Sequence, residues 1–162
     1  METEEKAKKP SATRTTVEKY KETRDLPKLA EEYTEVFAGS HNNILRTIDT
    51  IFFNNDRSDK TEVWWLYGPT GPGKSRQAQT MAHGHIVYWK YSTEWWDHYS
   101  QEEYVIIDDY AGQWKIDFLQ LLDQNPLLIQ CKPGTKKFNS KYIIFTSNYH
   151  PGHYCKYLEE QY

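Results

Sequence analysis

The chain has 162 residues, 20 basic and 23 acidic side chains for a net charge of −3, and 38% hydrophobic residues. That suits one domain of ordinary size with a small appendage and excludes two large ones. A mean hydropathy of −0.89 without a long apolar run argues against a membrane span. The two cysteines, Cys131 and Cys155, follow no secretory-type apolar stretch, which points to free thiols in a reducing compartment.

In chain order, residues 1–25 mix both charge signs with almost nothing apolar. They are expected to form a disordered tail or linker, in which Lys6, Lys8 and Lys9 could serve nuclear import. Order should begin with a small helical, oligomerisation-type segment over residues 26–57. Pro27 suits a first helical turn, Leu29, Tyr33, Val36 and Phe37 recur at helical spacing, and Gly39 ends the run. Ser40 can cap a second helix with Ile44, Leu45, Ile48, Ile51 and Phe52 on its apolar face. Two such helices cannot bury both faces by themselves, so they should pack on the following domain or on a neighbouring subunit.

Residues 58–162 read as an α/β domain with a largely parallel sheet. "EVWWLYG" is a buried strand running into a Gly-rich loop, and a helix is predicted from Gly73 to about His83. Further strands are predicted at "HIVYWK", "YVIIDDY", "PLLIQCK" and "KYIIFTSN", with a helix at "WKIDFLQLLDQ". The net charge hides a division. Residues 94–123 hold eight acids against Lys115, and residues 124–158 hold five lysines and no acid. A basic segment beside a phosphate site suggests a second polyanion, although a solvated lysine-rich loop would look the same.

Three strand ends carry the chemistry. Gly68, Pro69, Thr70, Gly71, Pro72, Gly73, Lys74 and Ser75 fit G-x-x-x-x-G-K-[ST] between a predicted strand and helix, the context of a Walker A loop. Inward N–H groups and the helix N-terminus favour phosphates. Lys74 should reach the β- and γ-phosphates of ATP, Ser75 should ligate Mg²⁺, and Arg76 follows within reach of the nucleotide. "YVIIDDY" delivers Asp108 and Asp109 to the sheet edge where nucleotides bind. One carboxylate can hold the Mg²⁺ shell while the other orients or deprotonates the attacking water. Asn148, after "YIIFTS", can hydrogen-bond both the γ-phosphate and that water.

The succession "GPTGPGKS", "YWKYSTEWWDHY", "YVIIDDY", "PLLIQCKPGTKKF", "KYIIFTSN" resembles the superfamily 3 helicase domain of the replication-initiator (Rep) proteins of circular single-stranded DNA viruses, circoviruses and cycloviruses in particular. The resemblance covers about residues 25–154, and its most specific part is the aromatic block around Tyr88-Trp89-Lys90 and Trp95-Trp96-Asp97. It implies a P-loop NTPase (AAA+-like) three-layer fold and a ring-forming homo-oligomer that moves single-stranded DNA in the host nucleus using Mg-ATP. Lys74 and Ser75 then belong to motif A, Asp108 and Asp109 to motif B, and Asn148 to motif C. The stretch 127–141 matches a B′ hairpin that grips DNA through Lys132. Lys136, Lys137 and Lys141 add charge, and Phe138 is a candidate for stacking on a base.

Members of that family begin with a nicking domain and continue past the sensor strand to an arginine finger. All five arginines of this chain, Arg14, Arg24, Arg46, Arg57 and Arg76, precede motif B. The expectation is therefore a C-terminally truncated domain that hydrolyses ATP poorly by itself. A regulatory product that binds ATP, DNA or a full-length initiator is the alternative, and RNA is a less favoured track. A small-molecule kinase would need an arginine-rich lid after the acidic strand. "HGH" (83–85) and "HPGHYC" are weak metal patterns, the latter lacking a fourth zinc ligand.

Overall fold

A computed structural model describes residues 10–71, 73–115, 117–132 and 134–154. Pro72, Pro133, Cys155 and the Lys6, Lys8 and Lys9 cluster lie outside them. The chain divides into two compact units, one ending at Phe53 and one beginning at Asn54. Asn54 to Arg57 thus go with the second unit rather than with the helical segment.

The first unit has three helices: α1 (Ala12–Thr23), α2 (Leu26–Glu32) and α3 (Thr34–Phe52). Residues 1–9 of the tail expected over 1–25 lie outside the described residues, and over the rest the expectation is corrected by α1, whose few apolar positions fall on one face. Thr16, Val17 and Tyr20 are buried, and Val17 and Tyr20 share a core with Leu29, Phe37, Ile44 and Ile48. A third helix thus supplies the apolar face that two could not provide for each other. Ser11 caps α1 by accepting from the Arg14 N–H at 3.3 Å. Arg24 ends it in the left-handed region at φ 54° and lays its guanidinium over the Phe52 ring at 4.2 Å. Asp25 caps α2 by accepting from the Lys28 N–H at 3.0 Å, with Pro27 in the first turn as predicted. The break falls at Tyr33 rather than Gly39. Ser40, expected as a cap, instead marks a kink inside α3 with φ −139°.

The second unit runs β1 (Glu62–Tyr67), α4 (Gly73–Met81), β2 (Val87–Lys90), β3 (Tyr104–Ile107), α5 (Phe118–Leu122), β4 (Leu127–Cys131), β5 (Gly134–Phe138) and β6 (Tyr142–Ser147), then a 3₁₀ turn at Pro151–His153. β1, β6, β3 and β2 form, in that spatial order, a parallel sheet. The apolar runs "YVII" and "YIIF" are buried on both faces, as parallel strands require. Their alternate residues face different layers. Ile106 and Ile144 pack with Ala78 and Ala82 on the α4 side. Val105, Ile107, Ile143 and Phe145 pack with Phe118, Leu121, Ile129 and Phe138 on the other. The three-layer α/β expectation therefore holds, with one difference: β4 does not join the parallel sheet. It pairs antiparallel with β5, Leu127 opposite Phe138 and Cys131 opposite Gly134, making a hairpin that caps the second face.

Candidate functional site

Parallel order brings the C-terminal ends of β1, β3 and β6 to one edge, where each strand hands its chain to a loop of predicted site residues. Gly68 follows β1 with φ +149°, a conformation that favours glycine, and its N–H donates to the Ser147 carbonyl at 3.3 Å. Thr70 and Gly71 are exposed in the loop, and Gly73 opens α4. A cleft of about 560 Å³ is bordered by Thr70, Lys74, Ser75, Asp109, Asn148 and Tyr149.

Inside it the three motifs touch. The Lys74 ammonium donates to the carbonyls of Gly68 at 3.0 Å and Pro69 at 2.9 Å, and to Asn148 Oδ1 at 3.2 Å. Ser75 Oγ donates to Asp108 Oδ1 at 2.7 Å. Thr146 Oγ1 donates to the same oxygen at 2.6 Å and accepts from the Asp109 N–H at 2.8 Å. Asp109 sits at φ 50°, a region costly for a non-glycine residue and frequent at functional sites. The Thr146 carbonyl accepts from the Tyr110 N–H at 2.8 Å, so both neighbours of that strained peptide are tied to β6. Thr146 was missed by sequence reasoning. Its only signal was its place near the end of the predicted strand "YIIFTSN", ahead of Asn148.

The donor set fits Mg-ATP. A hydroxyl and a carboxylate oxygen in mutual contact are hard oxygen ligands of the kind Mg²⁺ takes beside phosphates, and the Lys74 ammonium is a cation lining the same cleft. Ser75 and Asp108 would hold the metal, which when bound would neutralise charge on the phosphates. Asp109 is exposed at the cleft. Arg76 points away from burial on α4, and the pocket residues do not include it.

The predicted DNA-contacting residues divide. Phe138 is corrected outright: it is 0% exposed and stacks on Tyr99 at 5.6 Å with 12° between rings, so no base can reach it. Lys136 donates to the Tyr99 carbonyl at 2.8 Å. Lys137 pairs with Asp56 at 3.2 Å and Lys141 with Glu103 at 3.4 Å. Lys132, in the β4–β5 turn, is exposed. Among the histidines of the two weak metal patterns, His85 contacts Glu103 at 3.0 Å, His150 accepts from the Gly152 N–H at 3.1 Å, and His153 stacks on Tyr149.

The aromatic block is a structural knot. Lys90, 5% exposed, ends β2 and donates to the carbonyls of Tyr91 at 3.1 Å, of Thr93, and of Trp95 at 2.8 Å. Its ammonium lies over the rings of Trp114 at 4.6 Å and Trp96 at 5.2 Å. Burial pulls its pKa down to about 8, against the opposing charge of Asp97. Burial likewise pushes the Tyr99 hydroxyl up to about 12, opposed by its hydrogen bond with Ser140.

A parallel sheet with a phosphate loop after its first strand, an acid after β3 and an amide after β6 defines a P-loop NTPase. Residues 64–149, slightly more than half of the chain, match the RNA helicase family model. The chain belongs to that family, with a superfamily 3 helicase domain. It is 38% identical over 129 residues to the replication-associated protein of Human associated cyclovirus 1, covering 76% of this chain and 46% of that protein. With the replication-associated protein of Canary circovirus it shares 36% over 134 residues, 82% and 45% of the two chains. A calicivirus genome polyprotein, from Bovine enteric calicivirus Newbury agent-1, is 31% identical over 96 residues, 53% of this chain and 4% of that one. The chain spans less than half the length of the replication-associated relatives it matches.

Proposed function

We propose that this chain is the Mg-ATP-dependent helicase core of a replication initiator, acting on single-stranded DNA as part of a homo-oligomeric ring in the host nucleus. The observation that carries the reading is the convergence of Lys74 on Asn148 and of Ser75 on Asp108 at one sheet edge. A phosphate-gripping cation thereby touches the group that senses hydrolysis, and a metal-ligating hydroxyl touches the acid that shares the metal. The replication-associated names of the cyclovirus and circovirus relatives support DNA as the track. The RNA helicase family model favours RNA.

The test is the ATPase rate of the purified chain with no nucleic acid, with single-stranded DNA and with single-stranded RNA. Each is measured alone and with a fragment carrying the arginine-bearing segment that follows the sensor strand in the resembled initiators. DNA stimulation that rises with the added arginine is expected, because a trans arginine is worth about 10³–10⁵ in rate. Stronger stimulation by RNA reassigns the track. No turnover in any mixture contradicts the motor reading and leaves a binding or regulatory product.

A further inference from the structure

The aromatic block that is the most specific part of the resemblance takes no part in the nucleotide cleft. Its contacts run instead to the β4–β5 hairpin. The Trp96 N–H donates to the Gln130 carbonyl at 2.8 Å, and the Cys131 thiol donates to the Trp96 carbonyl at 3.2 Å. Tyr99 stacks on Phe138, and its hydroxyl accepts from the Asn139 N–H at 2.9 Å. At the tip, Asp97 Oδ1 accepts from the Lys132 N–H at 2.6 Å, and the Lys132 ammonium sits 5.0 Å from the centre of the half-buried Trp95 ring. Lys90, through the Trp95 carbonyl, fixes the stretch that carries both residues.

The lysines here are held by different chemistries, and the difference decides which can serve a polyanion. Lys137 and Lys141 lie on carboxylates, which a phosphate would have to displace. Lys132 lies on an indole face. A cation–π contact orients the ammonium through the ring quadrupole and leaves its N–H donors available to a phosphate. Asp97, the nearest acid named at the turn, meets the Lys132 backbone N–H rather than its charge.

We infer that Trp95 and Asp97 are positioning residues for Lys132: the indole places its ammonium and the carboxylate fixes the backbone of its turn, so that the hairpin tip offers a nucleic-acid phosphate one pre-oriented cation. The inference rests on the proposed reading of the hairpin as the element that contacts the single strand. It gives the Trp-Trp-Asp sequence a task distinct from ATP chemistry.

The experiment is a double-mutant cycle on the full chain, read as the affinity of a labelled oligothymidylate across a salt series. Lys132→Ala should weaken binding and flatten the salt dependence by about 0.7 in slope, one phosphate contact on a single strand. Trp95→Leu should weaken binding about two- to fivefold, the range of an exposed cation–π contact, and should cost nothing further in the Lys132→Ala background. Trp95→Phe should retain most of the affinity. Asp97→Ala, which leaves the aromatic contacts in place, should show the same loss of effect when Lys132 is absent. Equal losses in both backgrounds, or no loss from Trp95→Leu and Asp97→Ala while Lys132→Ala weakens binding, overturn this inference alone. Unchanged affinity in Lys132→Ala overturns it together with the strand-contacting role of the hairpin.

Discussion

Lys74→Ala is expected to raise the Kd for ATP by roughly 100-fold or more. Two charge-assisted hydrogen bonds to phosphate oxygens, at about 1.5–3 kcal/mol each, convert to that factor at about 1.4 kcal/mol per decade. The lower end is the better guide for this chain. Lys74 already donates to the Gly68 and Pro69 carbonyls, so phosphate contacts replace bonds rather than adding to none. The fold should survive, because the side chain is only partly buried and α4 is anchored to the sheet through Ala78 and Ala82. Titration of a fluorescent ATP analogue against the variant checks this, and an unchanged Kd removes the loop from the nucleotide site.

The second large effect lies away from the cleft. Arg57→Ala should destabilise the second unit by about 3–5 kcal/mol, read as a fall in the urea midpoint at unchanged m-value. Arg57 is 6% exposed, and its guanidinium donates to the carbonyls of Asn125 at 2.6 Å, Leu121 at 2.8 Å and Gln120 at 2.5 Å. Gln120 and Leu121 lie in the last turn of the five-residue α5, where carbonyls run short of intrahelical donors, the Gln120 carbonyl also accepting from the Asp123 N–H at 3.4 Å, and Asn125 lies beyond the helix. Removing the fork takes a buried donor from all three carbonyls at once. Burial lowers the Arg57 pKa, and the charge of Asp123 opposes that shift, so alanine also relieves a desolvation cost, which limits the loss. Arg57→Lys should recover less than half of it, since a compact ammonium on a different stem does not reproduce the fixed donor directions of the planar fork. A midpoint shift worth under about 0.5 kcal/mol, the level of a neutral surface change, would show that the fork is not formed in solution.

Arg57 also shows where sequence reading stops. Its partners lie 63 to 68 positions away, and a single arginine in "NNDRSDK" carries no local sign of them. The meeting of Lys74 with Asn148 and of Ser75 with Asp108 was legible because each residue belongs to a short pattern placed after a strand. Parallel pairing then brings strand ends together without further information. α1 was hidden because a helix can be held by three buried side chains, Thr16, Val17 and Tyr20, amid charges that dominate composition. Gly39 looked like a helix end, but φ/ψ at Tyr33 and Ser40 set the break and the kink. The surroundings of Phe138, Lys137 and Lys141 were illegible for a common reason. Burial rises along β5 to enclose Phe138 at its end, and the acids that pair with Lys137 and Lys141 come from residues 56 and 103, which no hairpin-level pattern includes. Thr146 was overlooked because its task is to bridge β6 to both acids, a relation that exists only once β3 and β6 are neighbours.

The most direct test of the account is calorimetric titration of the wild-type chain with ATP, ADP and AMP, each with and without Mg²⁺. The grouping of Lys74 with Asn148 and of Ser75 with Asp108, proposed to hold a phosphate chain and its metal, predicts saturable binding that weakens in the order ATP, ADP, AMP. Mg²⁺ should tighten the binding of ATP and leave that of AMP unchanged. AMP binding as tightly as ATP, or ATP binding indifferent to Mg²⁺, would contradict it.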